Sequence, residues 1–439
     1  MMNTPLRTVS IYPILSVNFV GALGFSIVLP FLVFLVTRLG GNALVYGVMG
    51  ATYSFFQLIG APILGRMSDR YGRRRILLLS QLGTMVSWGV FLIALFLPVV
   101  SLLEVDSALT GAFTVTIPIL VLFFARALDG ITGGNVSVAN AYLADITEES
   151  ERSTNFGKMA ISGNLGYILG PALAGALGAT AWGEIPPVVA ALVISIVASL
   201  IIAFRLPETI CGTLKANQER TTVRKVLGQE LKECYRLEGG SALTMREVLG
   251  LPFMRLLLSL YFLVFLAFNL FYIAFPVHAA TSLDWSLAEI GAFFTFMGIL
   301  MVVVQGPILT RASRVWSERK LVIGGSLVLA VSFLFFTMDG KLPAYIGTTF
   351  LALGNGVMWP SLMALLSLSA DREEQGAVQG FASSSGAVAS IVGLVVGGLL
   401  YGVLGTGVFF LAFAITMVVV LLSLSIPERR GAESPAKLE

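Results

Sequence analysis

Twelve apolar stretches run through this chain of 439 residues, and their length constrains its fold more than any other feature. A helix needs about 20 apolar residues to cross the hydrocarbon core of a bilayer. Charged residues make up only 12% of the chain, whereas soluble domains carry roughly 25%. We therefore predict an all-α membrane protein whose spans lie near residues 10–37, 43–64, 76–98, 116–142, 156–180, 184–204, 253–278, 287–310, 321–338, 343–368, 377–403 and 405–426.

The positions of lysine and arginine orient these spans. Of the 28 Lys and Arg residues, 25 fall on the side of the N-terminus, and only Arg38 and Lys341 fall on the opposite side. Cytoplasmic loops carry the excess of Lys and Arg in membrane proteins. We therefore expect a multi-pass protein of the cell inner membrane with both termini in the cytoplasm. The apolar residues 9–36 are too long for a cleaved signal and are predicted to form the first span.

The two halves of the chain resemble each other. The sequence PILGR at 62–66 recurs as PILTR at 307–311, each time between the second and third span of a half. We therefore predict two six-helix pseudo-repeats, 1–204 and 253–439, joined by a cytoplasmic linker at 205–252. Repeats of this kind place a substrate site near the midplane and open it alternately to the two sides.

Two charged residues fall at mid-depth, both in the fourth span. Each of them, Arg126 and Asp129, costs about 2.5–3.5 kcal/mol in the hydrocarbon on insertion scales, so each must face protein or water. At positions i and i+3 they share a helix face and can pair. We hypothesise that Asp129 exchanges a proton while Arg126 biases its protonation. A purely structural ion pair is the alternative.

Polar and aromatic residues inside other spans are candidates for the wall of a cavity. Amides can equally hold helices together, so both interpretations stay open for each of them. Trp88 is a candidate for the membrane interface, and His278 is interpreted as solvated surface at the outer end of the seventh span. The cavity candidates are Asn18, Gln57, Gln81, Asn269, Asn355 and Trp359.

Three motifs resemble those of the major facilitator superfamily. The sequence GRMSDRYGRRR at 65–75 is similar to its signature between the second and third helices. Residues 126–134 resemble its fourth-helix motif, and residues 166–175 resemble the fifth-helix motif of its proton-driven exporters. Residues 141–147 are similar to the tetracycline-efflux branch. The signature positions matched in the first motif are Gly65, Asp69, Arg70, Gly72 and Arg73.

This resemblance implies the major facilitator fold and the drug:proton antiporter branch. We expect a secondary active transporter, not an enzyme, that couples a proton gradient to efflux of small amphipathic molecules or drugs and confers multidrug resistance. The tetracycline exporters carry aspartates at the positions of Gly21 and Ser87, so the resemblance does not extend to their usual proton site. A facilitator or importer of a polar metabolite is the alternative, and a receptor on a transporter scaffold is a third class.

The family also implies a conformational latch on the arginine-rich side, formed by Gly65, Asp69, Arg70, Gly72, Arg73 and Asp145. Asp69, Arg73 and Asp145 would form a chain that ends on the positive N-terminus of the eleventh span and holds the halves together. A role in membrane topology alone is the alternative, and it is favoured for Arg74 and Arg75. In the fifth span, hinge and close-packing roles are equally open for Gly166, Gly170, Pro171 and Gly175.

The remaining expectations concern ligands and partners. No phosphate-binding loop sequence occurs, so the proton gradient and not a nucleotide is expected to supply the energy. We expect no bound cofactor, no metal site, no catalytic residue and no nucleic-acid partner. The expected partners are a small-molecule substrate and the lipid bilayer, and the protein is expected to be a monomer.

Overall fold

Helices make up nearly all of the computed structural model, which describes residues 10–133, 135–147, 151–208, 245–369 and 375–427. Most of the predicted linker at 205–252 lies outside the described residues. In chain order the elements are α1 (Tyr12–Ser26), α2 (Val28–Arg38), α3 (Ala43–Tyr71), α4 (Arg73–Ala94), β1 (Ser101–Ser107), β2 (Gly111–Thr116), α5 (Ile117–Thr132), α6 (Asn135–Ile146), α7 (Arg152–Gly178), α8 (Ile185–Arg205), α9 (Met245–Val248), α10 (Met254–Thr281), α11 (Leu287–Val303), a π turn (Val304–Ile308), α12 (Leu309–Ala312), α13 (Glu318–Phe335), α14 (Lys341–Leu368), α15 (Gln375–Leu404) and α16 (Gly407–Ser423).

A helix occupies each of the twelve predicted spans. Within the described ranges, nine helices are long and apolar enough to cross a membrane. The helices of the other three spans are shorter or more charged. The fourth span is divided into α5 and α6, and the twelfth, α16, has 17 residues. The ninth, α13, begins with three charged residues. The first span is divided at Ile27, because Pro30 has no N–H to donate to the carbonyl of Ser26. The π turn contains Pro307, which likewise has no N–H to donate to a helical hydrogen bond.

An antiparallel hairpin follows the third span and departs from the purely helical prediction. Strands β1 and β2 pair with Asp106 opposite Ala112. Asn42 connects the hairpin to the start of α3: its Nδ2 donates to the carbonyl of Thr110 at 2.8 Å, while its Oδ1 accepts from the backbone N–H of Val45 at 3.2 Å. One side chain therefore caps a helix and anchors the hairpin.

The chain divides into two compact units. The first comprises Met1–Ser241 together with Ala279–Thr295, and the second comprises Ala242–His278 together with Phe296–Glu439. The start of α11 thus groups with the first unit, and the predicted division into 1–204, 205–252 and 253–439 stays a prediction.

Each unit has its own apolar core. In the first, a cluster near the arginine-rich side joins α1, α3, α4, α6, α7 and α8 around the fully buried Tyr142. In the second, aromatic rings from α10, α13 and α16 pack together, with the rings of Phe271 and Phe336 4.6 Å apart and those of Phe336 and Phe409 5.9 Å apart. Such ring pairs add to the free energy gained from burial alone.

The turn between α3 and α4 is built around Gly72. Its φ of +98° is a conformation that favours glycine, and a Cβ there would lie 2.6 Å from the carboxyl group of Glu208. That carboxylate accepts from the backbone N–H of Arg74 at 2.9 Å, where the start of α4 favours negative charge. The Arg74 guanidinium in turn donates to the carbonyls of Ile202 and Ala203 at the end of α8. The start of α4 and the end of α8 therefore cap each other.

Glycines of α7 allow close contact with α1. A Cβ at Gly166 would lie 2.6 Å from the carbonyl oxygen of Phe19, and one at Gly170 would lie 2.9 Å from the backbone nitrogen of Ile27. Neither distance is compatible with a side chain. These contacts support the packing interpretation for both glycines.

Farther along α7, Gly175 meets the start of α11. A Cβ at Gly175 would lie 3.1 Å from the Cα of Gly291, and one at Gly291 would lie 2.8 Å from the carbonyl oxygen of Pro171. The helix continues through Pro171 to Gly178. Both contacts favour packing here too, and a hinge role stays a prediction.

We expect Gly72→Ala to destabilise the protein by about 1–3 kcal/mol, because alanine is strained at this φ and its Cβ overlaps Glu208. Thermal unfolding of the purified protein in detergent measures the change. Gly65→Ala, in the same loop signature, is the matched control, since a Cβ at Gly65 meets nothing within 4 Å. Equal melting temperatures for the two variants would contradict this account of the turn.

We expect Gly166→Ala to cost about 1–3 kcal/mol by forcing α1 and α7 apart. Gly157→Ala in the same helix is the control, because its Cβ would also meet nothing within 4 Å. The measurement is again thermal unfolding. A variant Gly166→Ala as stable as Gly157→Ala would mean that α1 and α7 do not approach as closely as described.

Candidate functional site

The two mid-depth charges pair inside the first unit. Nη1 of Arg126 lies 3.2 Å from Oδ2 of Asp129, and the two residues are 4% and 6% exposed. Both lie on α5, one turn apart, as their i, i+3 spacing predicts. Because both side chains are shielded from water, the ion pair compensates for part of the free-energy cost of desolvating the two charges.

Two neighbouring helices complete the surroundings of the pair. From α3, the ring of Tyr53 faces Arg126, with the guanidinium carbon 4.6 Å from the ring centroid. From α4, the side chain of Thr84 lies beside Asp129. The aromatic ring stabilises the cation and the hydroxyl stabilises the carboxylate. Nε of Arg126 is buried without a partner among the described residues.

Small residues and hydroxyls bring these helices together. A Cβ at Gly130 would overlap the carbonyl oxygen of Tyr53, so glycine is what allows α3 and α5 to cross beside the pair. Ser80 and Ser87 of α4 donate to the carbonyls of Thr132 and Ala125 on α5. Because residues 80, 84 and 87 share one face of α4, these bonds also direct Thr84 toward α5.

A cavity of about 210 Å³ lies beside the pair, and Asp129 forms part of its wall. Asn18 of α1 and Gln57 of α3 contribute amides, and Gln81 of α4 contributes a third. The predicted residues Asn18, Gln57 and Asp129 thus meet at one place in the first unit. The other lining residues are Val17, Val20, Gly21, Ala22, Gly24, Phe25, Tyr53, Thr84, Trp88, Gly133, Ala139, Gly163, Tyr167 and Ser195.

The remaining cavity candidates belong to the second unit and are not among these lining residues. Nδ2 of Asn269 donates to the carbonyl of Phe265 at 2.8 Å and to Oγ of Ser390 at 3.1 Å, which joins α10 to α15. Its position favours a role in holding helices together. Asn355 approaches the sulfur of Met301, and Trp359 packs against aromatic rings of α10.

Two interpretations from sequence are wrong. Trp88 is 2% exposed and lines the cavity, so it does not lie at a membrane interface. His278 is 3% exposed, and its Nδ1 lies 3.2 Å from the hydroxyl of Tyr401 on α15, so it is not solvated surface. Depth along a span was estimated from hydropathy, but hydropathy does not tell which face of a helix is turned inward.

The arginine-rich loop contains one of the predicted latch contacts. Nε of Arg73 lies 2.9 Å from Oδ2 of Asp145, and its Nη1 donates to Oγ of Ser68 at 2.7 Å. The side chain of Asp69 and residues 370–374, which precede the eleventh span, lie outside the described residues. The latch role stays a prediction.

Other residues of this loop take different positions. Arg75 is exposed, as a role in topology requires; Arg70 is exposed as well, and its latch role stays a prediction. Arg74 is not a free surface charge, because its guanidinium caps the end of α8. Neither this contact nor the hydrogen bond from its backbone N–H to Glu208 was predicted from sequence. The one sequence signal for a capping role was the run of three arginines at the start of α4. In the part of the chain that the structure describes, no three His, Cys, Asp or Glu residues are placed to hold a metal ion.

Comparison with known proteins identifies the family. A model described as the Major Facilitator Superfamily matches residues 14–311 and 257–439. The tetracycline resistance protein, class C, of Escherichia coli is 26% identical over 419 residues, which cover 94% of this chain and 95% of that protein.

Two solved structures share the fold. The human organic anion transporter MFSD10 (TETRAN) is similar with a TM-score of 0.64 and 21% identity over 94% of this chain and 98% of that one. A D-xylose-proton symporter has a TM-score of 0.69 and 16% identity over 94% of this chain and 96% of that one. With its family match running from residue 14 to residue 439, the chain belongs to the Major Facilitator Superfamily, a family of multi-pass membrane transporters rather than enzymes.

Proposed function

We propose that this transporter exports small amphipathic molecules or drugs from the cytoplasm in exchange for protons. The observation that carries the proposal is the buried ion pair of Arg126 and Asp129, whose carboxylate forms part of a cavity wall. A titratable group inside a span and next to a cavity is a candidate proton carrier. The similarity to tetracycline resistance proteins of Escherichia coli supports export as the direction of transport.

The surroundings of Asp129 give it two stable states. When it is ionised, the carboxylate pairs with Arg126 at 3.2 Å and interacts with Thr84. When it is protonated, the ion pair is lost and the guanidinium keeps its contact with the ring of Tyr53 at 4.6 Å. A desolvated cation–π contact is worth about 2 kcal/mol. This contact lowers the cost of releasing Asp129 from its partner.

Alternating access links this protonation to movement. A protonated Asp129 needs no cation beside it, so helices that open or close the cavity are free to separate it from Arg126. A carboxylate that has lost its proton regains the ion pair and favours the arrangement described here. Differential stabilisation of two conformations is the requirement for coupling a proton to transport.

We expect Asp129→Asn to lower transport driven by a pH gradient by about tenfold or more, equivalent to about 1.4 kcal/mol. A susceptibility panel in an efflux-deficient bacterial host first selects a compound that the wild-type protein exports. Uptake of that compound is then measured in inside-out vesicles. Substrate exchange without a pH gradient should persist at saturating substrate concentration, because it requires no net proton movement.

Asp106→Asn makes the same chemical change in the exposed hairpin and should leave transport unchanged. Asp129→Glu retains a carboxyl group and should recover part of the gradient-driven rate. Full gradient-driven transport by Asp129→Asn would show that this carboxyl group does not carry the proton.

A double variant that removes both charges tests whether the ion pair is needed for transport or only for stability. We expect Asp129→Leu alone to destabilise the protein by about 3–5 kcal/mol, since it leaves Arg126 buried without its partner. The double variant Arg126→Met/Asp129→Leu should recover most of that stability, measured by thermal unfolding, yet show no gradient-driven flux. Normal flux in the double variant would reduce the ion pair to a structural contact.

A further inference from the structure

Two amides in the cavity wall, those of Asn18 and Gln57, have their N–H groups bonded and their oxygen atoms unpartnered among the described residues. Nδ2 of Asn18 donates to the carbonyl of Met159 at 2.8 Å and to Oγ of Ser162 at 2.9 Å. Because a backbone carbonyl only accepts hydrogen bonds, this amide has one possible orientation. Its N–H groups are directed to α7, and its Oδ1 has no partner among the described residues.

Gln57 repeats this arrangement on the opposite wall. Its Nε2 donates to the carbonyl of Gly133 at 3.2 Å and to the hydroxyl of Tyr53 at 3.1 Å. The carbonyl again fixes the orientation of the amide, and Oε1 remains as an acceptor. Two amides from helices α1 and α3 therefore have their N–H groups bonded to the protein and keep an unpartnered acceptor beside the space they line.

Gln81 is a third polar group in this wall. It is 2% exposed, and its Oε1 has no hydrogen-bond partner in the described part of the chain. A buried acceptor left without a partner costs about 1–3 kcal/mol. Among the lining side chains only the indole of Trp88 is restricted to donating, whereas the hydroxyls of Tyr53, Thr84, Tyr167 and Ser195 act in either sense.

The charge at the wall is negative. Asp129 is the one residue with a formal charge among the residues that line the cavity, and Arg126 is not among them. The guanidinium lies against the ring of Tyr53, which itself lines the cavity. A ligand in the cavity therefore meets the carboxylate in the wall, while the guanidinium paired with that carboxylate is not part of the lining.

We propose that the cavity binds an organic cation with a protonated primary or secondary amine attached to an aromatic ring. The ammonium places its charge beside Asp129 and donates N–H groups to the amide oxygens of Asn18 and Gln57, while Gln81 gains the partner it lacks. The ring of the ligand lies against Phe25 and Tyr53, whose own rings are 5.0 Å apart. This inference rests on the proposed function and names its class of substrate.

The size of the cavity limits the ligand. An apolar cavity of about 150 Å³ accepts benzene, and this one measures about 210 Å³. The space accommodates one ring with a short aminoalkyl arm. An ammonium and a proton neutralise the same carboxylate, so the two exclude each other, as an exchanger requires.

Four probes with one ring separate charge from hydrogen bonding. Isothermal titration calorimetry of the full-length protein in detergent at neutral pH compares benzylamine, which is protonated, with benzyltrimethylammonium, which has the charge but no N–H. Benzyl alcohol is neutral, and benzoate is an anion. We expect benzylamine to bind at least about tenfold more tightly than each of the other three.

Variants assign the binding to this cavity. Asp129→Asn should lower the affinity for benzylamine by about tenfold or more, and Gln81→Leu should lower it by about threefold or more. Gln81→Leu should keep its thermal stability, because the substitution removes no hydrogen bond of the protein. Asp106→Asn in the hairpin is the control and should bind as the wild type does.

Several results would overturn the inference. Equal or tighter binding of benzoate or benzyl alcohol rules out a cation site, and equal binding of benzyltrimethylammonium rules out the role of the amide oxygens. Benzylamine binding that is unchanged in both Asp129→Asn and Gln81→Leu places the ligand elsewhere. Because the probe series on the wild-type protein needs no variant, a misfolded variant does not leave the inference untested.

Failure here is distinct from failure of the proposed function. If benzylamine binds through Asp129 but Asp129→Asn keeps full gradient-driven transport, the cation site is supported and proton coupling through this residue is ruled out. If Asp129→Asn loses gradient-driven transport while benzylamine does not bind, the proton site stands and the substrate class is wrong.

Discussion

A carboxylate and a guanidinium removed from water set the requirements that the rest of the first unit meets. Neither charge is tolerated alone in the membrane interior, so each must have a partner. Arg126 and Asp129 supply this for each other, and Tyr53 and Thr84 complete their surroundings. Those contacts require α3, α4 and α5 to approach closely, which is why Gly130 lies where a Cβ would overlap α3.

Much of the fold could be predicted from sequence because membrane thickness and helix geometry act locally. Twelve apolar runs indicated the helices, and the i, i+3 spacing of the two charges indicated their pairing. The division of the first span was not predicted, although Pro30 and its missing N–H account for it. The hairpin was not predicted, because its strands are short and it is held by contacts that sequence does not reveal, such as Asn42 with Thr110, 68 residues away.

The site was predictable only in part. Asn18 and Asn269 look alike in sequence, since each is an amide within an apolar run. The first lines the cavity with its oxygen unpartnered, and the second joins two helices. Each of them bonds to a distant segment, Asn18 to Met159, 141 residues later, and Asn269 to Ser390, 121 residues later, but only Asn18 lines the cavity. Periodicity carries no information about such partners, and for the same reason the buried position of Trp88 was missed.

The hairpin has a consequence for the helices that carry the site. Asn42 fastens it to the first turn of α3, and its second strand leads directly into α5. The two helices that supply Tyr53 and Arg126 are thus tied at the end away from the arginine-rich loop. Axial sliding of one helix past the other is restrained there, whereas a small change in their crossing angle is not. Pivoting about that shared attachment is therefore the motion that the hairpin leaves free to change the distance between the Tyr53 ring and the Arg126 guanidinium.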